Sequence, residues 1–202
     1  MPFTQDDLLD LEKFLKTATE VVPYINVSRG EAKPGSIAMR HDIDHSIEQA
    51  YNFALWEHQR GFKSTYFVLT TAPYYEDKVT LFDHLNSMIA LGHEIGFHND
   101  AMCHVDGDPL RASDYIIDER KTIQDGLKHH YSLLGVADHG GAPHDNTEIW
   151  EHYPPESFGF EYEAYQLQHS TNTYISDNQG RWRNPLEHAQ TFMLVHPTWW
   201  PV

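Results

Sequence analysis

The sequence predicts an α/β fold with parallel strands, arranged either as an α/β barrel or as a doubly wound sheet. Short segments rich in β-branched and aromatic residues alternate with longer segments that have helical spacing of apolar residues. The chain has 202 residues, of which 40% are hydrophobic, enough for one sizeable core. We therefore expect a single domain over residues 1–202, with repeated strand–helix units.

The first predicted element is an amphipathic helix. Thr4 and Asp7 have the spacing of a capping box, and Leu8, Leu11 and Leu15 fall on one helical face. This helix precedes the repeating strand–helix pattern.

Two strand–helix units follow. Ser36 to Met39 forms a short predicted strand, and Ser46 begins a predicted helix that ends before Gly61. The segment STYFVLT, from Ser64, has the composition of a buried strand, and Lys78 to Leu91 has helical spacing.

The second half continues the pattern. We predict a strand over His93 to His98, a helix within Pro109 to Leu134, and a strand over Val136 to His139. Two further strands are predicted at Thr173 to Ser176 and Phe192 to Val195.

Composition excludes several classes of function. The net charge of −16 disfavours binding to nucleic acid, which depends on Lys and Arg neutralising phosphates. Cys103 is the only cysteine, so an intramolecular disulfide is excluded. Neither a signal peptide nor an apolar run of membrane-spanning length is visible, so we expect a cytoplasmic protein with no membrane span. The oligomeric state is left open.

Polar residues lie at or just after the ends of the predicted strands. They are Asp42, Asp44, His98, His139, Asp177 and His196. In parallel α/β folds these strand ends form one face, where catalytic groups collect. Each residue alone has a simpler explanation, such as a helix-capping carboxylate or a histidine of the core, and only the shared position favours a site.

One carboxylate and two imidazoles are a suitable facial site for a divalent metal ion. A second carboxylate can then act as general base and a separate histidine as general acid. Such a set is sufficient for hydrolysis of an amide or ester.

At these residues the sequence resembles the polysaccharide deacetylase family, the NodB-homology carbohydrate esterases, from about Ser36 onward. The matching segments are RHDID at Arg40 to Asp44, GHEIGFH at Gly92 to His98, TYISDNQGRW at Thr173 to Trp182 and MLVHP at Met193 to Pro197. The resemblance implies a distorted parallel (β/α) barrel, to which this chain adds an N-terminal helix.

The resemblance also implies roles for individual residues. Asp42 corresponds to the general base and His196 to the general acid, while Asp44 and His98 correspond to metal ligands. The resemblance implies that Asp177 and Trp182 contact the substrate in a groove and that Leu194 contacts the acetyl group. Arg40 is also expected among the substrate-binding residues.

This chain departs from the family pattern at three places. Ile43 separates the two aspartates, which are adjacent in the family, and Met102 occupies the position of the second metal-binding histidine. We predict His139 as the third ligand because it ends a strand, with His104 as the alternative. The family's arginine motif is replaced by DHGGAPH, so Arg40 is the expected partner of Asp42.

The resulting hypothesis is a metal-dependent hydrolase, with zinc as the expected ion, that removes an N-acetyl group from an amino sugar or surface-polysaccharide precursor. Aromatic residues expected to stack on sugar rings are Tyr162, Tyr165, Trp182, Trp199 and Trp200. Two alternatives remain at this point: an inactive scaffold that binds metal or glycan, and a C–N hydrolase acting on a small non-sugar amide.

Overall fold

A computed structural model describes residues 3–128, 131–169, 174–177 and 190–202. Within these ranges the chain forms one parallel sheet of eight strands, in the order β6-β5-β4-β3-β2-β8-β7, with β1 beside β2. The strands are β1 (Val21–Val22), β2 (Ser36–Ile43), β3 (Thr65–Leu69), β4 (Glu94–Asn99), β5 (Gly135–Asp138), β6 (Tyr162–Glu163), β7 (Tyr174–Ser176) and β8 (Gln190–Val195). The sheet curls into a half-barrel, which confirms the predicted distorted parallel barrel.

Helices connect the strands and cover the outside of the curled sheet. They are α1 (Gln5–Leu15), α2 (Tyr24–Ser28), α3 (Ile47–His58), α4 (Lys78–Ala90), α5 (Ala101–His104), α6 (Pro109–Gly126), α7 (Ile149–His152) and α8 (Ala164–His169). Among the helices of the described ranges, none is both long enough and apolar enough to cross a bilayer.

The predicted N-terminal helix is confirmed. The Thr4 side chain accepts from the Asp7 amide while the Asp7 side chain accepts from the Thr4 amide, the two halves of a capping box. Leu8, Leu11 and Leu15 share an apolar cluster with outward-facing residues of β2 and β8.

The alternation of side chains along β2 separates two environments. Ile37 and Met39 face the helices, whereas Ala38 lies in a separate apolar cluster with Phe67 and Phe192 inside the curl. Because side chains alternate, the next residues that point inward are Arg40 and Asp42, so β2 directs polar groups toward the carboxyl end of the barrel.

Two predicted element bounds are wrong. The strand predicted to end at Met39 continues to Ile43, because the polar residues that follow are buried and hydrogen-bonded. The helix predicted within Pro109 to Leu134 ends at Gly126, and Leu127 is extended with φ −81° and ψ 150°. The later apolar residues pack on the core without a helix, and Tyr131 donates through its hydroxyl to the Ile95 carbonyl oxygen.

Candidate active site

The carboxyl ends of the strands surround a cavity of about 320 Å³. It is lined by Asp42, Asp44, His98, His139, Gly140, Tyr165, Tyr174, Ser176, Leu194 and His196. Five of the six polar residues expected to meet at the strand ends therefore share this cavity. Asp42 and His98 are the penultimate residues of β2 and β4, and so belong to the strands and not to the loops after them.

Three of these residues form a group suited to a metal ion. One ligand atom each from Asp44, His98 and His139 lies within 4.8 Å of the others. His98 Nε2 is 3.5 Å from Asp44 Oδ1. Two ligands of a tetrahedral zinc ion, each about 2.1 Å from the metal, lie about 3.4 Å apart, so this spacing suits a shared ion.

The surroundings of the three groups also fit a cation. His98 Nδ1 donates to the Ala137 carbonyl oxygen (2.9 Å), which leaves the Nε2 lone pair facing the cavity. Asp44 Oδ1 is buried and has no hydrogen-bond partner among the described residues. Burial and the neighbouring His98 lower the pKa of His139, which favours the neutral imidazole that a metal requires.

Charges around Asp44 favour its ionised form. Burial opposes ionisation, but His98, whose Nε2 lies 3.5 Å from Asp44 Oδ1, and the charge of His196 outweigh it, so the pKa of Asp44 falls to about 2. The carboxylates of Asp42 and Asp44 raise the pKa of His98 despite its burial. The site is therefore strongly favourable for positive charge.

Asp42 is held by a fully buried arginine. Arg40 Nη2 donates to Asp42 Oδ2 (2.9 Å), and Arg40 is not exposed at all. Burial raises the pKa of Asp42, but the Arg40 guanidinium and the nearby histidines overcome this effect and lower it. Asp42 Oδ1 is buried and has no hydrogen-bond partner within the described ranges, so an ionised oxygen is available at the cavity.

Arg40 was grouped with the substrate-binding residues, but in the structure it does not line the cavity. It lies beneath Asp42, with its guanidinium carbon 4.8 Å from the centre of the Tyr165 ring. Its position agrees with the expectation that it is the partner of Asp42.

His196 is oriented by Asp177. His196 Nδ1 is 2.8 Å from Asp177 Oδ1, and the His196 amide donates to Asp177 Oδ2 (2.7 Å). His196 Nε2 is directed to the cavity, 3.9 Å from Asp44 Oδ2. Burial disfavours the imidazolium, but Asp177 outweighs this effect and raises the pKa of His196.

Asp177 consequently differs from its expected place in a substrate groove. It is 1% exposed and also accepts from Trp200 Nε1 (3.0 Å). Because its carboxylate is occupied by His196 and Trp200, it acts on the site through His196.

The alternative ligand, His104, lies away from the metal-binding group. Its ring packs against Tyr115 with 4.4 Å between centroids, and both line a separate cavity beside β3. The structure places His139 beside His98 instead, with 5.2 Å between ring centroids.

The aromatic residues expected to stack on sugars divide into two groups. Tyr162 and Trp200 are 6% and 4% exposed, so the expectation is wrong for these core residues. Tyr165 lines the cavity, and Trp199 stacks on His196 with 4.2 Å between ring centroids. Trp182 lies outside the described residues.

Sequence reasoning missed two side chains of the cavity, those of Tyr174 and Ser176, and the backbone of Gly140. Tyr174 and Ser176 are two residues apart on the short strand β7, so their side chains lie on the same face of the sheet. This spacing was the signal available in the sequence. Leu194 lines the cavity as expected and is 6% exposed.

This chain is similar to several solved structures. A mutant of the peptidoglycan deacetylase PdaC from Bacillus subtilis superposes with a TM-score of 0.51 and 16% sequence identity, covering 83% of this chain and 76% of that one. A family 4 carbohydrate esterase from Bacillus anthracis gives a TM-score of 0.49 at 13% identity, over 86% of this chain and 76% of that one. A CE4 family pseudoenzyme from Bacillus anthracis gives 0.48 at 11% identity, over 83% and 60% of the two chains.

No protein-family model matches the sequence, and no curated protein matches it significantly. The similarity to the first of these structures shows that the chain has the distorted barrel fold of a polysaccharide deacetylase.

Proposed function

We propose that this protein is a metal-dependent hydrolase that removes the N-acetyl group from an amino sugar and releases acetate. The observation that carries the proposal is the content of one cavity: a metal-ligand triad, an ionised carboxylate and a histidine nitrogen. Each part has a separate partner that fixes its orientation or charge.

The ligand set of Asp44, His98 and His139 suits zinc, because one carboxylate and two imidazoles are common ligands of a catalytic zinc ion. When bound, such an ion supplies Lewis-acid polarisation of the acetyl carbonyl and lowers the pKa of a water molecule.

In this mechanism Asp42 is the general base. The lowered pKa keeps its carboxylate ionised, and Oδ1, which has no hydrogen-bond partner in the described part of the chain, receives a proton from the attacking water. Arg40 holds the other carboxylate oxygen, which keeps Asp42 charged and fixes its rotamer.

His196 is the general acid. Asp177 holds Nδ1, and its charge favours the protonated ring, so Nε2 can carry a proton toward the leaving amine. Leu194 provides an apolar wall of the same cavity, suited to the methyl of an acetyl group.

An amino sugar or surface-polysaccharide precursor is the proposed substrate class. Support comes from the sequence resemblance and from the aromatic rings of Tyr165, Tyr174 and Trp199 at and beside the cavity, since such rings pack against sugar faces.

Acetate release tests this proposal. The protein is loaded with zinc and assayed against N-acetylated amino sugars, their oligomers and small non-sugar acetamides. We expect acetate from the sugars, loss of turnover with a chelator, and a decrease of at least about 100-fold in Asp42→Asn, because the general base is absent. His104→Ala is the matched control and should keep the activity.

Other outcomes contradict the proposal in different ways. Acetate from small amides alone would contradict the sugar substrate. A wild type that binds zinc but releases no acetate from any substrate would contradict the hydrolase and favour a binding scaffold.

A further inference from the structure

The peptide group between Val195 and His196 is held from both sides. Its carbonyl oxygen, on Val195, lies 3.0 Å from His41 Nδ1. Its amide, on His196, donates to Asp177 Oδ2 at 2.7 Å. Since β8 ends at this peptide, its orientation determines where the His196 ring enters the cavity.

His41 belongs to a buried polar network on the helix side of the sheet. Its Nε2 atom is 2.9 Å from Glu57 Oε1 on α3. Glu57 Oε2 accepts from the hydroxyls of Ser64 (2.6 Å) and Tyr66 (2.7 Å). His41 and Glu57 have no exposed surface, so neither is solvated by bulk water.

The partners of His41 determine the direction of its hydrogen bonds. A carbonyl oxygen only accepts hydrogen bonds, so Nδ1 donates to Val195. Glu57 also accepts: although burial disfavours its charge, His41 and the other donors lower its pKa. Both ring nitrogens of His41 therefore lie within hydrogen-bond distance of an oxygen acceptor, the Val195 carbonyl and the Glu57 carboxylate.

This arrangement connects the two strands that carry the proposed base and acid. His41 lies between Arg40 and Asp42 on β2 and pairs in register with Val195 on β8. A buried pair of a histidine and a carboxylate is weak evidence for stability, because apolar residues of similar volume often serve as well. The hydrogen bond from His41 Nδ1, however, determines the orientation of the Val195 carbonyl group.

We infer that His41, anchored by Glu57, is a positioning residue for His196: through the Val195 carbonyl it fixes the direction in which His196 Nε2 faces the cavity. The inference rests on the proposed function for the role of His196. The contact itself does not depend on that function.

Two amide substitutions separate the bonds of His41. In His41→Gln the amide nitrogen stands near the place of Nε2, so the bond to Glu57 is kept and the bond to Val195 is lost. In His41→Asn the amide nitrogen stands near Nδ1, so the bond to Val195 is kept. Ser64→Ala is the matched control, because it removes a donor to Glu57 and leaves the peptide untouched.

Amide hydrogen exchange of His196, measured by NMR on the full chain, tests the contact without any turnover. Relative to the amide of Phe97 in β4, we expect exchange about tenfold faster in His41→Gln. Exchange in His41→Asn and Ser64→Ala should stay within about twofold of the wild type. Unchanged exchange in His41→Gln, or equal acceleration in all three variants, would overturn the inference.

Kinetics test the positioning role. In an active enzyme, His41→Gln should lower kcat about tenfold with KM within about twofold, while His41→Asn keeps most of kcat. Equal losses of kcat in both would overturn the positioning role. Absence of turnover in the wild type would instead contradict the proposed function, and the exchange rates would still decide whether His41 holds the peptide.

Discussion

At the scale of single residues, the most consequential interaction is the buried pair of Arg40 and Asp42. Arg40 has no exposed surface, and its Nε and Nη1 atoms lack partners among the described residues. The carboxylate of Asp42 is therefore its main compensation. Removing one member of such a pair leaves an uncompensated charge in a dry environment.

We therefore expect Asp42→Asn to lose stability as well as activity. Its free energy of unfolding in urea should fall by about 3 kcal/mol, because the Arg40 charge stays buried. In an Arg40→Met background the same substitution should cost much less. Equal costs in both backgrounds would contradict the coupling between the two side chains.

The sequence predicted well which residues lie at the site, but it predicted poorly which neighbours each of them contacts. Asp42, Asp44, His98, His139 and His196 share the cavity because their positions follow from strand ends. The contacts of a polar side chain depend on neighbours that are distant in sequence, such as Trp200 beside Asp177, and strand-end position alone does not identify them.

At the scale of elements, Glu94 joins several elements at the amino-terminal end of the sheet, opposite the cavity of the candidate active site. From the start of β4 it accepts from Thr65 on β3 (2.6 Å), from Tyr162 on β6 (2.9 Å) and from the Ile25 amide on α2 (3.2 Å). Burial outweighs these bonds and raises the pKa of Glu94 to about 7.

This shift gives a pH-dependent prediction. A carboxyl group whose pKa is raised by folding stabilises the protein when the pH is below the pKa that the group has in the unfolded chain. This contribution is lost as the pH rises through the folded-state pKa of about 7. Glu94→Gln should match the wild type near pH 4 and be more stable by about 3 kcal/mol at pH 8. Its amide can still accept from Ile25 and Thr65 and donate to the Tyr162 oxygen.

Glu161→Gln is the matched control for urea unfolding at both pH values. Glu161 lies at the same end but pairs with Arg29, which lowers its pKa, so this substitution should bring no gain at alkaline pH. A difference between Glu94→Gln and the wild type that does not change with pH would contradict the assignment.

Elements with a strong periodic signal were predicted within a few residues, and the two-residue strands were missed. The two-residue strands β1 and β6 carry no period that a sequence pattern can detect. The end of α6 was missed because Leu127 and Leu133 continue a helical spacing although they pack on the core from non-helical chain.

At the scale of the whole molecule, the parallel sheet explains why distant segments form one site. Strands β2, β4, β5, β7 and β8 all place their carboxyl ends around the cavity, so residues from Asp42 to His196 meet there. The fold class followed from strand–helix alternation, and the barrel followed from the motifs that resemble deacetylases. The third ligand could not be fixed by sequence, because His104 and His139 both follow β4 or β5 within a few residues.

The metal content of the purified protein tests the central claim most directly. Elemental analysis is made after zinc loading and dialysis, on the wild type and on Asp44→Ala, His98→Ala, His139→Ala and His104→Ala. We expect about one divalent ion per chain in the wild type and in His104→Ala, and loss of the ion in the other three variants. No bound ion in the wild type, or an ion lost with His104 and kept without His139, would contradict the proposed site.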